Sequence, residues 1–298
     1  MSVSATLISD RWLGLALGLL LLAPLPAAAD EEAPSQPAFA FFSFIPAKPD
    51  LSPAGLRLVM PWASDMTKAR EAYRQGDFTT AREYLEIAAE KGDLIANWYL
   101  GHLYRLGRGV APDPIKAFKY YSVVVAAFDP QERDERRLRV MVDSLVRVAD
   151  MHRTGKGYMR DPAEAYRMYN MAASFGHPAA HYALGIMTLE GHGIRRNAEM
   201  GLKWLMLAAR KRYAPAEAAL GDLYLDGKIL RQDRVRALTW YMLAVQTAHE
   251  GEHPEIFERF SAIQSEVTET ELATAEARAR KWDRKYPSRF QSVNLQGD

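Results

Sequence analysis

The sequence predicts an all-α, right-handed solenoid of repeated helix pairs, closed by a C-terminal helical cap. Three observations predict it. A small residue recurs at Ala81, Ala117, Ala165, Gly201 and Ala237, at steps of 36, 48, 36 and 36 residues. Three and four places after each stand bulky residues: Tyr84-Leu85, Tyr120-Tyr121, Met168-Tyr169, Trp204-Leu205 and Trp240-Tyr241. A second small-residue series, Gly101, Ala149, Gly185 and Gly221, runs in phase with the first. Repetition at this period marks units that fold as helix pairs and stack on their neighbours to bury a continuous core. The small residues then mark where the two helices of a pair, A and B, cross closely. The bulky ones fill the space between successive pairs.

The elements follow in chain order. Arg11 precedes an unbroken apolar run from Trp12 to Ala23, Pro24 and Pro26 break it, and Ala27-Ala28-Ala29 stands before Asp30. That order predicts a secretory signal over residues 1–29, cleaved after Ala29. The run is shorter than the roughly 20 apolar residues of a bilayer span. An exported chain of residues 30–298 would therefore be free of the membrane and reside in the periplasm. Six prolines (Pro34, Pro37, Pro46, Pro49, Pro53 and Pro61) lie among Phe39, Phe41, Phe42 and Phe44. Proline restricts its own dihedral and that of the residue before it, so residues 30–63 read as an extended lead-in.

The repeats occupy residues 64–253. In the first unit Ala69 and Ala81 lie twelve apart around a turn at Gly76-Asp77; in the following four the paired small residues lie sixteen apart. The four added residues fall in a loop seen as Gly107-Arg108-Gly109, Gly155-Lys156-Gly157, Gly191-His192-Gly193 and Gly227-Lys228-Ile229. Glycine reaches positive φ without strain, so each loop should end a helix A. Asp113-Pro114 and Asp161-Pro162 read as N-cap and first-turn proline of helix B. The longer step adds twelve residues, eight of them charged, around Phe128–Arg139, ahead of a helix expected from about Leu138 to His152. After the repeats, residues 254–298 carry two further helices, Pro254–Glu266 and Glu269–Tyr286, the second opened by a Thr268/Glu271 capping box. These should cover the open end of the stack.

Composition narrows the function classes. There is no cysteine, which removes disulfides and thiolate metal sites. Lys plus Arg number 38 against 37 Asp plus Glu, a balance that argues against nucleic acid or an anionic membrane as the main partner. One catalytic string occurs, His249-Glu250-Gly251-Glu252-His253, which matches the H-E-x-x-H of zinc metalloproteases. That chemistry needs one continuous helix carrying both histidines. Gly251 and Pro254 disfavour a helix there, so the string reads as a charged turn. His177 and His181 straddle a helix start and read as a turn with a packed histidine. No G-x-S-x-G, S-x-x-K or phosphate loop is present. The expectation is a chain that is not an enzyme, needs no metal or cofactor, and binds a protein.

On a helix-pair solenoid, helix A lines the concave side. Positions three before, one after and four after each small residue should face that groove. They give Trp98, His102 and Arg105, then Asp150 and Arg153, then Tyr182, Ile186 and Leu189, then Asp222 and Leu225. Val146 and Ala218 complete the series. Aromatic, arginine and apolar side chains in one groove suit a protein or peptide segment. The other reading is that some of them pack between helices, above all Ile186 and Leu189.

The stretches LGHLYRLGRGVAPDPIKAFKYY, LGIMTLEGHGI with GLKWLMLAA, and LGDLYLDGKILRQDRVRALTWYMLA resemble Sel1-like repeats, a subclass of the tetratricopeptide superfamily, over roughly residues 65–250. The signal, the missing cysteine, the longer step and the helical tail after ALTWYMLAVQTA are similar to the periplasmic exopolysaccharide-regulator family (ExoR type). That resemblance implies a non-enzymatic repressor that binds the periplasmic domain of a two-component sensor histidine kinase and controls exopolysaccharide production. A general Sel1-like scaffold in envelope assembly is the alternative within the fold. An envelope hydrolase would require the histidine string.

Overall fold

A computed structural model describes residues 63–287, which form twelve α-helices and, among the described residues, no strand. The expected signal over 1–29, nearly all of the lead-in and the chain beyond 287 lie outside the described residues. Five consecutive helix pairs follow one another: α1 (Ala63–Arg74) with α2 (Phe78–Glu90), α3 (Leu94–Leu106) with α4 (Pro114–Ala126), α5 (Glu135–Thr154) with α6 (Pro162–Ser174), α7 (Pro178–Glu190) with α8 (Ala198–Arg210), and α9 (Ala214–Asp226) with α10 (Arg234–Thr247). Each helix B also packs on the next helix A, and α3 packs directly on α5. Two last helices, α11 (Pro254–Ser265) and α12 (Glu269–Lys285), both pack on α10. The chain is an all-α helical-repeat solenoid with a helical cap.

The local chemistry that places these helices recurs with the repeat. An Asx residue stands four places before every small residue of helix B and accepts backbone N–H bonds in its first turn. Asp77 bonds Thr80, Asp113 bonds Ile115 and Lys116, Asp161 bonds Glu164, Asn197 bonds Met200 and Asp233 bonds Arg236. Such a cap satisfies a donor that the helix itself leaves unpaired. At the other end, Gly107, Gly155, Gly191 and Gly227 sit in the left-handed region and close helix A. The second glycine of the first three loops is also at positive φ and has a further reason. A Cβ at Gly109 would lie 2.6 Å from the backbone of Phe78, and one at Gly157 or Gly193 would strike the Pro114 or Pro162 carbonyl. Each loop therefore lies on the first turn of helix B of the preceding repeat. Ile229 takes that place in the fourth loop.

The crossing points are where the periodicity puts them. A Cβ at Gly101 would lie 2.6 Å from the Tyr121 ring, at Gly185 2.7 Å from Leu205, and at Gly221 2.7 Å from Tyr241. Tyr121, Tyr169, Tyr241, Leu85 and Leu205, all four places after a small residue, are fully buried. The longer step is resolved in two parts. Residues 127–134 make a connection, and α5 runs 20 residues instead of 13, starting at Glu135 under an Asp134 cap. The helix thus begins three residues earlier than expected, because Asp134 is an N-cap and the charged residues after it form an exposed first turn.

Candidate protein-binding face

The A helices meet in a polar cluster centred on Asp143 of α5. Trp98 of α3 donates its indole N–H to Asp143 Oδ2 at 2.7 Å. His102, one turn on, lies 3.4 Å from the same oxygen through Nε2. Arg147 closes a two-point contact, Nη2 to Oδ1 at 3.0 Å and Nε to Oδ2 at 3.3 Å. His177, at the cap of α7, brings Nε2 within 3.8 Å of Oδ1. One carboxylate on the middle helix thus gathers groups from three successive A helices. Asp143 is buried, and burial alone would raise its pKa. Arg147, His102 and His177 outweigh that and hold it well below the usual carboxylate range. Burial pushes His102 down to about 4 against the pull of Asp143, so the ring is neutral at pH 7. Its Nδ1 faces Arg105 Nη2 at 3.4 Å, which carries the cluster out to an exposed guanidinium.

A second device repeats along the same face. The residue after each helix-A small residue meets the residue four after the helix-B small residue. Tyr169 donates its hydroxyl to Asp150 at 2.6 Å, and Tyr241 to Asp222 at 2.7 Å. In the first of these repeats His102 meets Tyr121 edge to face at 5.4 Å instead. In the third, Ile186 and Leu205 share an apolar cluster. Arg153 braces Tyr169 at 3.3 Å and Asp150 at 3.6 Å. Arg259 of α11 reaches Asp222 at 3.7 Å. Burial, with the neighbouring aspartate adding to it, raises the pKa of both tyrosines, so the hydroxyls remain donors.

The ten residues expected on this face divide into three groups. Trp98 and His102, 3% and 2% exposed, are interior. They serve Asp143 and offer no surface to a partner, which corrects the expectation for both. Leu189 is interior too, because it is the side chain that packs against Gly201: a Cβ there would lie 2.6 Å from it. Asp150, Arg153, Tyr182, Ile186 and Leu225 are half-buried, and Arg105 and Asp222 are exposed. Tyr182 leans on Tyr213, ring centroids 5.6 Å apart. Reading the positions missed Asp143, Arg147 and Tyr213. The i, i+4 pairing of Asp143 with Arg147 inside the otherwise largely apolar stretch 140–149 was the signal that could have found the first two.

The histidine strings resolve as turns. His249 to His253 precedes α11, and His253 occupies its N-cap position with φ −138°, its Nδ1 3.2 Å from Glu255. His181 stacks on Trp204 at 5.5 Å, while His177 turns to Asp143. Among the described residues no group of three or more His, Asp or Glu could hold a metal ion, and no helix is long and apolar enough to cross a membrane.

These features define a helical-repeat solenoid whose A-helix face presents tyrosine, arginine and aspartate around a buried ionic centre. The chain belongs to the Sel1 repeat family: the repeat matches residues 72–93, 94–122, 142–177, 178–213 and 214–246, together more than half of the sequence. Two curated relatives share part of it. An exopolysaccharide production negative regulator of Rhizobium leguminosarum bv. viciae is 30% identical over 140 residues, and one of Rhizobium meliloti (strain 1021) is 32% identical over 139. Each match covers 45% of this chain and 51% of the relative, so the chain spans about half the length of the curated relatives it matches. Among solved structures, a Sel1 repeat protein from Oxalobacter formigenes superposes with TM-score 0.53 at 23% identity, over 72% of this chain and 86% of that one. The c5321 antigen of uropathogenic Escherichia coli, described as an SLR fold, gives 0.54 at 21%, over 77% and 46%. Both likenesses concern the fold.

Proposed function

We propose that this chain is an exported, non-enzymatic negative regulator of exopolysaccharide production that works by holding a protein partner on its A-helix face. The partner in this reading is the periplasmic domain of a two-component sensor histidine kinase, kept inactive while bound. The observation that carries it is the similarity to two rhizobial proteins named as negative regulators of that process. Two features support it. The Arg11-to-Ala29 segment has the order of a cleavable export signal. The accessible residues of the face, Arg105, Arg153, Tyr182 and Ile186, include the tyrosine and arginine types that dominate interface energetics.

The test starts from the deletion strain, which should overproduce exopolysaccharide and return to normal on complementation. Tyr182→Ala with Arg105→Ala should behave like the deletion while circular dichroism stays helical. Truncating two central contacts at about 2 kcal/mol each weakens capture by two or more orders of magnitude. Crosslinking in intact cells should recover a sensor kinase with the parent and not with the variant. Unchanged exopolysaccharide in the deletion strain would sink the regulator reading. Recovery of envelope-assembly enzymes in its place would favour the scaffold.

A further inference from the structure

A cavity of about 290 Å³ is lined by residues of α9, α10 and the capping helix α12. Its walls are aromatic: Trp240 of α10 and Trp282 of α12 meet edge to face with ring centroids 4.8 Å apart, and Tyr224 stands beside them. Leu243 and Thr239 complete the lining on α10. Two guanidinium groups, Arg236 and Arg278, line the same space.

The polar groups are out of balance. Arg236 is held in place: its Nε bonds Asp233 at 3.1 Å, its Nη1 lies 3.4 Å from the Tyr224 hydroxyl, and the group stacks 5.5 Å over that ring. Its other terminal nitrogen is left over. Among the described residues Arg278 makes neither an ion pair nor a hydrogen bond, and its side chain is exposed. The indole N–H of Trp282 is buried and has no acceptor. Among the described residues Asp233 is the one carboxylate engaged with either arginine, so the cavity lining carries an excess of positive charge. Two guanidinium groups beside flat aromatic walls call for a ligand that supplies both an anionic acceptor and a ring. Guanidinium groups match a planar carboxylate in charge and geometry, and aromatic faces take the ring. The volume is at the lower edge of the roughly 300–1,000 Å³ of small-molecule pockets, which suits a ligand of one or two rings.

We propose that this cavity binds a small carboxylated ring compound, either a uronic sugar or an aromatic acid. The inference is independent of how the A-helix face is used. The full chain, titrated by calorimetry and followed by tryptophan fluorescence from Trp240 and Trp282, decides it. Glucuronate and benzoate are the two ring acids, and the tighter of them names the source. Glucose, which lacks the carboxylate, and acetate, which lacks the ring, should each bind at least tenfold more weakly than that acid. Arg278→Gln should weaken the ring acid about tenfold or more, as loss of a charge-assisted contact implies, and leave the melting temperature unchanged. Three results overturn the proposal: neither acid binds, Arg278→Gln binds as tightly as the parent, or inorganic phosphate binds as tightly as the ring acid.

Discussion

Two buried acids in this solenoid have opposite fates. Asp143, at the centre, is surrounded by Trp98, His102, Arg147 and His177, and remains ionised far below the usual carboxylate range. Glu217, in α9 near the capped end, faces one cation, Arg212, with Thr247 as a weaker neighbour, and its second oxygen has no partner within hydrogen-bond distance among the described residues. Burial there outweighs Arg212 and raises the Glu217 pKa to about 7. The difference lies in the number of donors. A carboxylate taken out of water stays charged when its lone pairs are filled by several polar groups, and tends to keep its proton when they are not.

The Arg212 side shows why the second site is poorer. Arg212 occupies the turn between α8 and α9 at φ 58°, where the corresponding turns use Gly92 and Gly176. A non-glycine residue there is strained by roughly 1–2 kcal/mol. In return its guanidinium spans three elements. It pairs with Glu217 in α9, bonds Gln246 of α10 at 2.7 Å and reaches Asp283 of α12 at 3.5 Å. The cation is shared out to tie the cap down, and Glu217 receives only part of it.

The comparison can be broken most forcefully at its centre. Asp143→Ala should destabilise by about 3–5 kcal/mol, because it strands Arg147 with two histidines and an indole that have lost their acceptor. A urea midpoint close to the parent's would mean that the cluster is not what joins α3, α5 and α7. Next comes pH. Below about 4.5 Glu217 is protonated in both states; between there and about 7 the unfolded chain loses the proton and the native one keeps it. Its effect is therefore to lower stability as pH rises through that window. Asp143 has the other sign: its contribution is complete above its ordinary value of 3.8 and is lost only as pH falls toward its depressed native value. Glu217→Gln should gain on the parent by on the order of 3 kcal/mol between pH 4.5 and 7.5. A difference that stays flat across that range would show that Arg212 keeps Glu217 ionised.

Smaller effects sharpen the contrast. Gly185→Leu lies between the two regions and involves no titratable group; by over-packing against Leu205 it should cost roughly 1–3 kcal/mol at every pH. An unchanged melting temperature would misplace the helix crossing. Trp98→Phe removes one donor from Asp143 and keeps most of the ring, so about 1.5 kcal/mol should be lost. A loss as large as that of Asp143→Ala would mean that the indole, and not the ionic set, organises the cluster.

Much of the fold was legible because its determinants are local and repeated. The crossing glycines, the bulky residues after them, the loop glycines and the Thr268 box each act within a few residues of chain. Five Asx caps obey one spacing, yet only Asp113 and Asp161 stood out, because a following proline marked them. The site was less legible. Trp98 and His102 sit at positions that face the groove in a regular repeat, and a count along one helix cannot show that Asp143, 41 residues beyond His102, draws both inward.

The sequence by itself determined the repeat length, the helix pairs, their ends and the capping helices, since periodicity and backbone chemistry are properties of neighbouring residues. Only the tertiary structure decided which polar residues are interior, which acid keeps its proton, and where arginines and tryptophans from α10 and α12 share a cavity. Those outcomes depend on desolvation and on partners brought together from different repeats, and neither is encoded at any one position in the chain.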